Sequence, residues 1–182
     1  MWAILFQIGS LLLAPSLARS VINSEAIATF DSTSTVQGTV RFQASDTSVN
    51  ILTSITGLSH LNKYSWDLYS PGLTTSALNP QKSRRSQLSC PIDDLLDPFH
   101  ATRSPTYTCY SKATSKACAL GQLTGKFGCW KGPAAGKTLS RTYSDDTISL
   151  SGNQSIVGSY LVVRNALNHI IGCALVVLDS DE

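Results

Sequence analysis

Charged side chains are scarce in this chain of 182 residues: Asp, Glu, Lys and Arg make up 14% of it, and the net charge is +2. Such a surface carries no strong field to gather polyanions, so no nucleic-acid partner is expected. The hydrophobic share, 42%, is too high for a disordered chain, and the length suits one domain with its own core. No segment has the pattern of a long amphipathic helix. No Cys-x-x-Cys pair occurs among Cys90, Cys109, Cys118, Cys129 and Cys173, and His60, His100 and His169 form no paired ligand spacing with them. That spacing argues against a zinc ribbon. Gly125-Lys126 and Gly136-Lys137-Thr138 lack the spacing of a phosphate-binding loop. His100 and His169 have no nucleophile-elbow serine to serve. Asp93, Asp94 and Asp97 lack calcium-loop spacing and read better as a helix start.

What is present begins with an apolar leader. Trp2 to Leu13 is almost uncharged and is followed by Ala14-Pro15-Ser16-Leu17-Ala18-Arg19-Ser20. Small residues stand at the −3 and −1 places for cleavage after either Ala18 or Ser20, the pattern of a signal peptide. The run falls short of the roughly 20 apolar residues that a bilayer span needs. No Lys or Arg precedes it, which departs from type; an uncleaved anchor or a core strand is the competing reading. Residues 1–20 are thus read as a signal peptide and 21–182 as a single domain, secreted, extracellular and free of the membrane once cleaved. Secretion places the five cysteines in an oxidising compartment, where at most two bridges form and one thiol is left over or pairs with another chain. It also makes Asn153-Gln154-Ser155 a glycosylation acceptor.

Past the leader the hydrophobic period is two, which predicts strands. Ala26–Phe30, Val36–Phe42, Val49–Ile55, Tyr64–Tyr69, Ile156–Val163 and Ile170–Leu178 alternate or are rich in β-branched residues, and Leu120–Phe127 is a further candidate. In the Tyr64–Tyr69 segment the rings are expected on one face and the small polar groups on the other. Turn-forming residues separate the strands, which favours a sandwich or barrel. Ser70 to Ala117 is the exception, a long proline-bearing excursion that holds Cys90 and Cys109. Within it, Lys82-Ser83-Arg84-Arg85 reads as a solvated basic loop.

The order of these pieces resembles the Cu/Zn superoxide dismutase family. Val36-Gln37-Gly38-Thr39-Val40-Arg41-Phe42 is similar to that family's V-Q-G-x-[IV]-x-F hairpin, and Ile55-Thr56-Gly57-Leu58 to its I-x-G-L. Leu78-Asn79-Pro80 resembles the F-N-P of the zinc loop. Ile148-Ser149-Leu150-Ser151-Gly152, continuing through Ile156-Val157-Gly158 and Leu161-Val162-Val163, resembles I-S-L-S-G…I-x-G-R-x-L-V-V. Gly172-Cys173-Ala174 stands where the last strand has A-C-G. The resemblance implies an all-β fold, an eight-stranded Greek-key barrel of flattened, sandwich-like form with a long cysteine-containing loop over about 70–117.

The resemblance also implies a copper held by four histidines and a zinc held by three histidines and an aspartate. Here Ser65 and Asp67 take the two copper-histidine places of the F-H-V-H strand. Ala77 stands at the bridging histidine and Arg85 at the next zinc histidine. Gln122 stands at the zinc aspartate, with Ala119 near another histidine, and Arg164 follows Val163 at the last copper histidine. The family's catalytic arginine falls near His169 or Ile170. Such a site needs several imidazoles converging on one point, and guanidinium groups cannot ligate. No copper, zinc or other cofactor is therefore expected, and Asp67 with Arg164 is expected to form an ion pair in the vacated place. The family's disulfide partner of Cys173 falls on Pro71 or Gly72, so a replacement bridge to Cys173 is expected from the excursion, through Cys90. Cys109 with Cys118, or Cys118 with Cys129, are the candidates for a second. The function expected is a secreted, non-catalytic module that binds an unknown protein partner or a second copy of itself. The alternative is an extracellular superoxide dismutase with an unusual metal site.

Overall fold

Strands form where period-two alternation coincides with β-branched and aromatic residues. A computed structural model of the chain describes residues 24–32, 34–72, 90–104, 106–109 and 117–179. The leader, Leu78-Asn79-Pro80 and the Lys82–Arg85 cluster lie outside the described residues. β1 (Glu25–Phe30), β2 (Gln37–Ala44) and β3 (Val49–Thr56) form an antiparallel meander. They are followed by β4 (Lys63–Pro71), β5 (Ile92–Leu95), β6 (Trp130–Lys131), β7 (Leu139–Asp145), β8 (Tyr160–Arg164) and β9 (Ile170–Leu178). The sheet order is β5-β4-β8-β9-β1-β2-β3-β7, with the two-residue β6 added to β4. From β3 the chain passes β2, β1, β9 and β8 to reach β4, and β7 later returns to β3, long connections of the Greek-key kind. The expected all-β architecture is present as one curled antiparallel sheet.

The curl brings one face of each strand inward. Val40, Phe42, Ile51, Ile55, Trp66, Leu68, Leu161, Val163, Ala174 and Val176 form the core of that inner face. Gly38 allows β2 to lie close on β3: its φ is +111°, and a Cβ there would stand 2.1 Å from the Ser54 carbonyl oxygen.

Four local expectations are corrected. Leu120–Phe127 is not a strand but enters a one-turn helix, α1 (Leu123–Phe127). Leu123 and Lys126, three apart, are both buried on its inner side. The Thr124 hydroxyl takes the place of a ladder partner for β4: it accepts the Trp66 N–H at 2.6 Å and donates to the Trp66 carbonyl at 3.1 Å. The strand expected over Ile156–Val163 begins only at Tyr160, because Gly158 turns at φ 86° and the Val157 N–H is taken by the Ser155 hydroxyl. Tyr69 does not share a face with Tyr64 and Trp66; five residues from Tyr64, it falls on the outer face. The excursion carries β5, so Asp93 and Asp94 lie in a strand rather than at a helix start. Asp97 does cap a turn, accepting the N–H groups of Ala101 and Thr102 at 2.9 Å each ahead of the 3-10 turn Ala101–Arg103.

Two disulfides tie the excursion down. Cys90 is bonded to Cys173 on β9 across a sequence separation of 83, and Cys109 to Cys118 across 9. Chain-entropy reasoning puts a bridge closing a loop of that larger size at roughly 4.5 kcal/mol. Cys129 is free and exposed. Helix α1 packs hard on the second bridge: a Cβ at Gly125 would stand 2.2 Å from the Cys109 sulfur.

β4 and β7 share no ladder, so side chains close the barrel between them. Trp66 of β4 stacks on Trp130 of β6 at 4.7 Å between centroids, and Tyr143 of β7 lies 5.0 Å from Trp66 and 5.1 Å from Phe127. Pairs at such spacings contribute about 0.5–1.5 kcal/mol beyond their burial. Burial also holds the Tyr143 phenol above its ordinary pKa. In the same seam Lys126 of α1 meets Asp145 of β7 at 2.8 Å, with neither side chain exposed.

Candidate functional site

Because Tyr64, Trp66 and Leu68 are buried inward, alternation turns Ser65, Asp67 and Tyr69 to the outer face of β4. Leu161 and Val163 likewise turn Tyr160, Val162 and Arg164 outward on β8. The register sets Ser65 opposite Arg164, Asp67 opposite Val162 and Tyr69 opposite Tyr160. Ser65, Asp67 and Arg164, three of the residues that the resemblance sets at ligand places, therefore lie on adjacent strands. Val162 is 1% exposed although it lies outside the inner core. The outer face here is consequently partly covered, with Ser65, Asp67, Tyr69 and Arg164 half-buried.

The expected ion pair does not form. Asp67 and Arg164 are diagonal rather than opposite, a separation of about 7–8 Å between backbones, and each side chain is engaged elsewhere. The Asp67 carboxylate accepts the Thr124 N–H at 2.8 Å. The Arg164 guanidinium donates to the Asn168 carbonyl at 3.1 Å and lies over the Tyr69 ring, 5.5 Å from its centroid. Burial pushes the Asp67 carboxyl above its ordinary pKa; the Thr124 hydrogen bonds and the positive fields of Arg164 and Lys126 oppose that rise without cancelling it.

Gln122 belongs to a separate network. Its carbonyl accepts from the Tyr107 hydroxyl, which itself accepts the Ala119 N–H at 2.9 Å. This ties the end of the excursion to the start of α1. Ala119 is buried and offers only a methyl group. Ala77 and Arg85 lie outside the described residues.

These donors do not fit copper or zinc. Ser65, Asp67, Gln122 and Arg164 supply one carboxylate and no imidazole or thiolate, and that carboxylate is already held by Thr124. The three histidines of the whole chain are all described, and all are exposed outside the strands and helices. His60 sets its Nδ1 3.1 Å from the Pro133 carbonyl, His100 has left-handed backbone at φ 54°, and His169 precedes β9. Among the described residues no group of three or more His, Cys, Asp or Glu is placed to hold a metal ion. A hollow of about 560 Å³ lies beside β5 between Asp93, Asp97, His100 and Arg103, and Asp67 is not part of its lining.

Sequence reasoning missed the buried cation of the seam. Lys126 donates to the Leu120 carbonyl at 2.8 Å, to Asp145 at 2.8 Å and to the Thr147 hydroxyl at 2.7 Å, so all three ammonium protons are used. The other Asp145 oxygen accepts from the Thr147 N–H and hydroxyl at 2.9 and 2.6 Å. Burial lowers the pKa of Lys126, with the Asp145 charge working against that shift. The available signal was the spacing of Leu123 and Lys126 on one helical side, which the strand reading of this segment hid.

No family model matches the chain, and no curated protein matches it. Solved structures do. A point variant of superoxide dismutase 5 from Candida albicans superposes with a TM-score of 0.65 at 21% identity, covering 90% of this chain and 94% of that one. The Cu(II) form of the same dismutase gives 0.64 at 22% identity, covering 88% and 96%. The curled Greek-key sheet with its long disulfide-bonded excursion is thus a superoxide dismutase-like fold.

Proposed function

We propose that this protein is a secreted, non-catalytic module that uses a dismutase-like fold to bind a partner or to build structure. One observation carries the reading: the Asp67 carboxylate, at a place that the resemblance assigns to a copper ligand, is hydrogen-bonded to the Thr124 backbone, and among the described residues no group of three or more His, Cys, Asp or Glu is placed to hold a metal ion. Fold alone does not convey activity. Two disulfides in one short chain support an oxidising compartment. No helix among the described residues is long and apolar enough to cross a membrane. The partner is a second protein or another copy of this chain, and weighing the native particle in solution distinguishes the two.

The likeness to a copper-loaded dismutase favours the second reading, an extracellular enzyme of superoxide metabolism with an unusual metal site. Metal analysis of protein purified without chelator or tag decides between them. The expected result is copper and zinc well below stoichiometry, and no dismutase activity after both metals are added back and excess removed. A full equivalent of copper that survives dialysis and brings activity with it would overturn the proposal.

A further inference from the structure

We propose that Asn153 carries an N-linked glycan in the mature protein. The inference rests on the secretion half of the reading above, since oligosaccharide is transferred in the secretory lumen. Asn153-Gln154-Ser155 is an acceptor tripeptide, and no other asparagine of the chain stands in that pattern. An acceptor sequence alone is common; its setting here is what argues for occupancy.

Asn153 stands in the 3-10 turn Gly152–Gln154, where Ser151 to Gln154 are all exposed. The turn is built on a buried base: Ile148 is 4% exposed, Leu150 7% and Ile156 0%. Its own backbone holds it. The Ser149 N–H donates to the Gln154 carbonyl at 2.9 Å, Ser155 to Gly152 at 3.0 Å and Ile156 to Ser149 at 3.0 Å. Gly152, at φ 71°, supplies the left-handed bend. Among the described residues none hydrogen-bonds to the Asn153 carboxamide. Attaching a sugar there breaks no contact of the described fold and orders no new backbone. A large hydrophilic group is therefore tolerated at little cost.

The position also has a consequence for the surface. Gln154 lines a shallow pocket of about 220 Å³ together with Phe99, Cys118, Leu120 and Thr147. Phe99 is 59% exposed, the only large aromatic so exposed among the described residues. A glycan rooted one residue from Gln154 sets a hydrated group beside this ring, at the end of the barrel where Thr147 anchors Lys126.

The test expresses the full chain in a eukaryotic secretory host in two forms, one with its own leader and one with a host leader fused ahead of it. Protein from the medium and from the endoplasmic reticulum is weighed intact before and after peptide N-glycosidase. Occupancy predicts a loss of roughly 2 kDa or more on digestion and conversion of residue 153 to Asp. Asn153→Gln and Ser155→Ala should both lack the digestible mass, while Ser155→Thr keeps it; circular dichroism confirms that each is folded. Protein that has entered the lumen under the host leader with Asn153 unmodified overturns the proposal. If only the host leader delivers protein and that protein is glycosylated, the secretion reading fails and the site stands.

Discussion

Along β1, β2, β3 and β7 each strand meets the next in an unbroken antiparallel register, so the backbone largely satisfies itself. The outer edge of β4 has no such neighbour. It is met in turn by β6 at Lys63 and Tyr64, by the Thr124 hydroxyl at Trp66, by the Gly121 carbonyl at Leu68, and by β5 at Tyr69 and Pro71. Each flank also has an ion cluster, and these differ as sharply. On the meander, Arg41 bridges Glu25 at 2.6 Å and Asp179 at 3.0 Å with 46% of its side chain exposed. In the seam, Lys126 and Asp145 are 0% exposed. Regular pairing leaves charges free to decorate the surface. Where the ladder is interrupted, individual side chains must do what backbone hydrogen bonds do elsewhere, and a misplaced partner there has no water to turn to.

The largest effect should come from breaking the buried cluster. Lys126→Met strands the Asp145 carboxylate and the Leu120 carbonyl without their cation, and should cost about 3–5 kcal/mol in urea unfolding. Replacing Asp145 by Leu in the same chain should recover a substantial part of that loss, since no lone charge remains. A double variant no more stable than the single one would show that the cluster matters for its hydrogen bonds rather than its charge balance.

An intermediate effect with a distinctive pH dependence is expected at Asp67. Asn at this position keeps a carbonyl for the Thr124 N–H and removes the charge that burial disfavours. Because burial raises the folded-state pKa above the unfolded one, the carboxyl favours the fold most when protonated, below its unfolded pKa. That contribution is lost as pH rises through the folded value. Asp67→Asn should therefore unfold at a higher denaturant midpoint than wild type at neutral pH, with the gap closing toward acid. A true Asp67–Arg164 ion pair would reverse the sign, with the variant weaker at neutral pH.

The smallest effect belongs to the meander's surface cluster. Arg41→Met should leave the urea midpoint indistinguishable from wild type at about 0.15 M salt, because exposed pairs are screened and hold long side chains at an entropic cost. A loss approaching that of Lys126→Met would erase the contrast between the flanks.

Legibility along the chain follows the same division. Period-two alternation located β1 to β4 and β9 closely, since each buries every second residue against one core. β7 escaped notice because its seven residues include only Leu139 and Asp145 as buried ones; it is a strand by virtue of its register with β3. The replacement bridge from Cys90 to Cys173 was expected and is present, whereas the choice of Cys109 over Cys129 as the partner of Cys118 was open. Ser65, Asp67 and Arg164 lie on the adjacent strands β4 and β8, yet the contact expected between Asp67 and Arg164 is replaced by bonds to Thr124 and Asn168. Facing in a known fold says which strand a residue occupies, not which donor reaches its oxygen first.

The alternation of apolar residues, the shortage of histidine and the order of the strand motifs are properties of the chain read locally, and they were enough to determine an all-β dismutase-like fold without the family's metal donors. The Lys126 cluster joins residues 19 apart across the barrel seam, and Thr124 serves Trp66 from 58 residues away. Those partnerships exist only after the sheet has curled to bring α1 and β7 together. Curl and register are set by the packing of the whole inner face, so no local pattern in the sequence could announce which polar groups would be buried there, or with whom.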